Sequence, residues 1–234
     1  MTISILQFQN FSLVIAALVN LIMAVLIIFQ GWRNKVNLYF SLLTFFNFLW
    51  AMGLFFGMTM DGYFGEWSAK IIYIFAIGIA ISLLFFSVYF PYKIKKINPI
   101  FYYIILMLTL FFIFSTLNNT LVIEYYRDQV NNIFYLKHNR FLYILYSLYF
   151  ISLMIFSIFN LIYKYKNIEG IFKQQILILL MVIVLGLIFG SYFDLFLCHF
   201  GIYKYEWLGP LFTLPMNFVA FYLIFSNKDK LKNG

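Results

Sequence analysis

Residues 175–196 read QILILLMVIVLGLIFGSYFDLF. One charge stands in this stretch, Asp194, close to its C-terminal end. A helix needs about 20 such residues to cross a hydrocarbon core ~30 Å thick. Inside lipid the backbone has no water to bond to, so a run of this kind closes its own hydrogen bonds as a helix. Working outward, six further runs share the composition: Phe11–Gln30, Leu38–Met60, Ala69–Phe90, Ile100–Thr116, Phe141–Tyr163 and Leu208–Phe225. Ile100–Thr116 is at the short limit for a span. Hydrophobic residues make up 65% of the chain and charged ones 10%. A water-soluble fold has no use for seven such runs. The expected fold is an all-α polytopic membrane protein, a seven-transmembrane-helix bundle forming one domain over residues 1–234.

The basic residues alternate from side to side of these spans. Arg33 and Lys35, then Lys93, Lys95 and Lys96, then Lys164, Lys166 and Lys173, then Lys228, Lys230 and Lys232 fall in the first, third, fifth and seventh gaps. These are 11 of the 16 basic residues, and the opposite side holds only Lys70, Arg127, Lys137, Arg140 and Lys204. Most of the acids (Asp61, Glu66, Glu124, Asp128, Asp194 and Glu206) lie on that second side. Lys and Arg concentrate on the cytoplasmic face, which predicts the N-terminus out and the C-terminus in. The net charge of +8 is then a topology signal. Nucleic-acid binding would need a clustered basic groove, which short scattered loops do not form.

Residues 1–10 carry no Lys or Arg, so the first span reads as a retained helix rather than a cleaved signal. No soluble domain is expected after the last span. Cys198 is the single cysteine, which leaves no internal disulfide and no thiolate metal cluster. It reads as a small apolar residue at the membrane boundary. Trp67, Tyr63, Tyr203, Tyr205 and Trp207 fit an outer aromatic belt, and Trp32, Tyr92, Tyr163 and Tyr165 an inner one. The longest loop, residues 118–140, reads NNTLVIEYYRDQVNNIFYLKHNR. Leu121–Tyr126 and Ile133–Leu136 are β-branched and aromatic, and the turn formers of residues 127–132, including Asn131 and Asn132, separate them. That pattern predicts a small β-hairpin over the outer face. No inverted repeat relates the two halves.

The chemistry-bearing residues are sparse. GxGxxG, the P-loop, HExxH and GxSxG are all absent, and no metal or cofactor motif is present. His138 and His199 both fall on the outer side, out of reach of cytoplasmic ATP. The pairs Asp61/Glu66 and Glu124/Asp128 read as solvated surface charges. Polar residues inside spans carry more weight, because lipid makes them costly. Asn20, Asn47, Asn160 and Asn217 are of this kind, and Trp50 shares a helix face with Asn47. Their first reading is hydrogen-bonded glue between helices, worth ~0.6 kcal/mol each. Their second is a polar pocket. Gly53/Gly57 and Gly186/Gly190 form GxxxG runs, which let backbones approach closely within the bundle or along a homodimer seam. Asp194, beside Tyr192, reads first as an interfacial acid touching water. Pro210 suits a helix start and Pro215 a kink.

Four stretches carry a family resemblance. Asn37-Leu-Tyr-Phe40 stands before Phe48-Leu-Trp50 in the second span. Trp67 and Tyr73 precede Phe85-Phe86 and Phe90-Pro91 in the third. Lys173-Gln-Gln175 leads into the sixth span with Leu185-Gly186, and Gly201-Ile202 precedes Leu208-Gly-Pro210 and Tyr222-Leu-Ile224. In order and spacing these resemble the N-terminal seven-helix sensor region of bacterial histidine kinases. The resemblance implies a membrane-embedded sensor in the bacterial cytoplasmic membrane, not an enzyme, passing its signal to a kinase or cyclase partner. It carries over no binding residue. A small-molecule transporter is the alternative, and a retinal protein is excluded because the last span has no lysine. Helix order and depth suggest a ligand site under the outer loop built from Trp50, Trp67, Asp194 and Asn217.

Overall fold

The computed structural model describes residues 5–93, 98–130 and 133–226. Lys95, Lys96, Asn131, Asn132, Lys228, Lys230 and Lys232, which entered the charge and turn readings, lie outside the described residues. Among the described residues, seven helices are long and apolar enough to cross a membrane. They are α1 (Ile5–Gly31), α2 (Lys35–Thr59), α3 (Gly62–Tyr89), α4 (Pro99–Leu117), α5 (Arg140–Asn167), α6 (Ile171–His199) and α7 (Leu208–Ser226). Between α4 and α5 stand β1 (Val122–Asp128) and β2 (Ile133–His138), paired antiparallel.

Asparagine starts three of the helices. The side chains of Asn34, Asn98 and Asn139 accept from the backbone N–H of Val36, Ile100 and Leu142, at 2.8, 3.0 and 3.3 Å. Each satisfies one of the donors a first turn leaves open. Pro99 follows Asn98, where its missing N–H costs nothing. α3 begins seven residues before its apolar run, because Glu66 and Lys70 pair one turn apart within it. Lys70 is buried and also donates to Asn119 at 2.8 Å, and Glu66 belongs to this helix rather than to a loop, with its side chain still 38% exposed.

Helices α1, α2 and α3 pack as the tightest layer. A Cβ on Gly53 would stand 2.7 Å from the Ile72 side chain, and one on Gly57 3.2 Å from Phe134 and 3.3 Å from Ala69. The first GxxxG run is therefore filled from within the chain, by α3 and the hairpin. Ser41 ties α2 to α1 by donating to the Ala24 carbonyl at 2.8 Å. α5, α6 and α7 close the bundle, while α4 lies outside against α3 and α5, where Tyr149 donates to the Ile105 carbonyl.

Lys164 corrects a second charge reading. It is no loop residue but belongs to α5, where it is 3% exposed. Its ammonium donates to the carbonyls of Val88, Phe90 and Tyr92 at 2.7, 2.6 and 2.9 Å. A cation there satisfies carbonyls that the end of α3 leaves without partners.

The hairpin lies across the opposite end. Phe134, Val122 and Leu121 are fully buried beneath it. Tyr125 donates to the Gly57 carbonyl at 2.9 Å, and Arg127 pairs with Asp61 at 2.7 Å. The strands reach further than the sequence suggested, because Arg127 and Asp128 continue the ladder opposite Phe134 and Ile133. Tyr203 is 3% exposed rather than part of an aromatic belt, and it donates to the Leu136 carbonyl at 2.6 Å.

Candidate functional site

Beneath the hairpin end, α2, α3, α5, α6 and α7 enclose a cavity of about 70 Å³. A single water needs ~10–15 Å³, so the space suits several waters or a small organic group. Trp50 comes from α2, Tyr73 and Ala76 from α3, Tyr146 and Phe150 from α5, and Gly186, Gly190, Ser191 and Asp194 from α6. Glu206, in the loop before α7, and Thr213 complete the lining. The walls are mostly apolar and aromatic, with a few polar groups converging, which is the usual make-up of a small-molecule pocket.

The polar groups in this lining divide into two kinds. Some are satisfied: Thr213 donates to the Pro210 carbonyl at 2.8 Å, and Tyr146 donates to the Tyr73 carbonyl at 2.9 Å. The Tyr73 hydroxyl pairs with His138 Nε2 at 2.6 Å, linking the cavity wall to the hairpin. Others are not satisfied: Ser191 Oγ, both carboxylate oxygens of Asp194 and Glu206 Oε2 are shut off from solvent with no hydrogen-bond partner. Each such group costs roughly 1–3 kcal/mol relative to a satisfied one. Among the described residues no Lys or Arg lines the cavity to offset the two acids.

Local backbone geometry puts Asp194 there. Residues Tyr192–Phe196 form a π-helical turn within α6, in which the Leu197 N–H bonds the Tyr192 carbonyl. Such turns insert one extra residue and occur often at functional sites. The turn is held from α5, since Tyr143 donates to the Leu195 carbonyl at 3.1 Å. The carboxylate then rests on the first turn of α7. A Cβ at Gly209 would overlap it, so only glycine leaves room. The positive end of the α7 dipole favours an anion at that spot.

Glu206 arrives by a different route. The Tyr203 anchor and three successive turn hydrogen bonds, Glu206 to Tyr203, Leu208 to Tyr205 and Gly209 to Glu206, fold the loop inward. Glu206 is 3% exposed, and burial pushes its carboxyl up to about 8. Burial also lowers His138 to about 4, with the nearby His199 adding to the effect, so His138 is neutral at pH 7.

Of the residues the sequence suggested for a site, the cavity gathers Trp50 and Asp194. It does not gather Trp67, which packs on Tyr63 with ring centroids 5.8 Å apart. Nor does it gather Asn217, whose side chain donates to Asn20 at 2.6 Å in a fully buried contact between α7 and α1. Asp194 is not an acid touching water, since its oxygens are buried and it lines the cavity. The second GxxxG run differs from the first. A Cβ on Gly186 would stand 3.4 Å from the Phe212 carbonyl, whereas one on Gly190 would meet nothing within 4 Å. Glu206 and Ser191 escaped the sequence reading. Glu206 sits between Tyr205 and Trp207, and its neighbours read as a membrane-boundary belt.

Fold and cavity together define an integral membrane protein of seven helices with a pocket enclosed near one end. Residues 12–228 match the sequence profile of the family described as the N-terminal 7TM region of histidine kinase. The chain belongs to that family, which is a sensor input region rather than a catalytic domain. Searches of curated proteins and of solved structures find no match.

Proposed function

We propose that this chain is a membrane sensor whose input is occupancy of the cavity beneath the hairpin. It lies in the bacterial cytoplasmic membrane with the hairpin outside, and it hands its signal to a kinase or cyclase, on its own polypeptide or another. The observation that carries this reading is the group of partnerless polar atoms on Ser191, Asp194 and Glu206, turned into an otherwise apolar pocket. A fold retains such costly groups where a ligand completes them. The basic-residue asymmetry supports the orientation.

The pocket also touches elements that can move. It contacts the π turn of α6 and the start of α7. Pro215 leaves the Leu211 carbonyl of α7 without its helical donor. Occupancy that favours one arrangement of α6 against α7 shifts the far end of α7.

The test uses Gly190→Phe, because Gly190 lines the pocket and a Cβ there would meet nothing within 4 Å, so the ring has space to enter. The variant and a full deletion are compared with the parent strain by transcript profiling, with membrane amounts checked by blotting. A sensor gives an altered regulon in both strains. A Gly190→Phe strain indistinguishable from the parent, at equal protein amount, overturns the reading.

A further inference from the structure

The cavity has a charge problem that its own walls do not solve. Asp194 and Glu206 both face it, and no basic residue lines it. Two carboxyls in one apolar space cannot both ionise without a counter-charge. We propose that the cavity binds a small monocationic amine, with its ammonium held by Asp194, Glu206 and Ser191 and its carbon skeleton against Trp50, Tyr73 and Phe150. This rests on the reading of the cavity as the input site.

The free acceptors match the donor count. A primary ammonium carries three N–H donors. Asp194, Glu206 Oε2 and Ser191 Oγ are three side chains with unused oxygens around one space. Aromatic faces add a second attraction for a cation, up to about 2 kcal/mol where water is excluded. Metal ions fit worse. Calcium takes 6–8 oxygen ligands and magnesium a near-octahedral set. Here the remaining lining is apolar or already bonded. An anion would meet two acids.

The two acids divide the work. Glu206 is held mostly neutral at pH 7, since burial lifts it to about 8. Asp194 lies against the positive end of α7, which makes it the better placed of the two to carry a negative charge beside a bound cation. One anion and one neutral carboxyl suit a single positive charge. The carbon skeleton is short, because the cavity measures about 70 Å³.

The experiment uses the full chain in detergent micelles, with propylammonium chloride as the probe. 1-Propanol serves as its neutral isostere and sodium chloride as the salt control. Thermal unfolding and tryptophan fluorescence are read together. Propylammonium raises the melting temperature in a saturable way, whereas the two controls do not. Asp194→Asn raises the half-saturating concentration at least tenfold. Glu206→Leu, which removes one of the three acceptors, raises it at least threefold, and Gly190→Phe abolishes binding. An equal shift with 1-propanol or sodium chloride overturns the proposal. So does undiminished binding in folded Asp194→Asn or Gly190→Phe protein, and so does a parent that binds none of the probes. Amine binding in a strain whose Gly190→Phe transcript profile matches the parent would instead leave this assignment standing and remove the input role.

Discussion

Glu206→Gln separates a buried neutral acid from a surface carboxylate. Glu206 is 3% exposed, and burial raises its carboxyl from 4.5 to about 8. Below pH 4.5 both folded and unfolded chains hold this proton, and the Glu206 contribution does not change with pH. Above it the unfolded chain releases the proton while the folded chain keeps it, so stability falls as pH rises. The loss stops once the folded carboxyl also ionises, near pH 8. At about 1.4 kcal/mol per tenfold change in proton affinity, the full effect is at most roughly 5 kcal/mol. Glutamine keeps the shape and removes the titration. Parent and variant therefore melt together near pH 4.5, and the variant gains steadily up to about pH 8. Thermal unfolding in micelles across that range measures the gap. Parallel pH profiles for the two proteins would refute the burial of this carboxyl.

His138 gives the opposite slope. Its folded value of about 4 lies below the usual 6.5, so its contribution is present above pH 6.5 and is lost as pH falls toward 4. His138→Phe flattens that acid limb, and an unchanged limb speaks against a neutral buried histidine. Gly53→Ala drives a methyl group to 2.7 Å from Ile72 and costs about 1–3 kcal/mol, whereas Gly190→Ala meets open space and gains up to about 1 kcal/mol in helix propensity. Equal melting temperatures for the two variants would contradict the packing described. Lys164→Met strands the carbonyls of Val88, Phe90 and Tyr92, and about 2 kcal/mol or more is lost, read as lower yield and melting temperature. A cysteine at Val130, 82% exposed at the hairpin turn, reacts with an impermeant thiol reagent in intact cells while one at Asn98 does not; the reverse pattern inverts the orientation.

The spans were legible because lipid imposes one solution on an apolar run, and the hairpin because its turn formers divide two β-branched stretches. The site was only half legible, for a reason that lies in α6. Counting along a regular helix put Asp194 at the membrane boundary. In the structure the helix runs on to His199, and the π turn of residues 192–196 swings Asp194 toward α7 instead. Nothing in YFDLF announces an inserted residue. Glu206 was hidden in the same way, since a loop acid looks solvated until the distant bond from Tyr203 to Leu136 folds it in.

Trp67 and Asn217 failed for want of azimuth. Sequence gives depth along a span, but not which neighbour a helix face meets. A polar residue in a span announces that it is buried, and it does not say against what. Asn217 donates to Asn20 at 2.6 Å, and although its own Oδ1 has no partner, neither residue lines the cavity. Asp194, Glu206 and Ser191 have cavity space before them and unpaired oxygens facing it. That difference decides between glue and site. A pair away from the cavity is out of a ligand's reach, so removing it costs only stability. Unsatisfied acids gain most from one, so Asn217→Leu must weaken the fold without changing amine affinity, while Asp194→Asn must do the reverse.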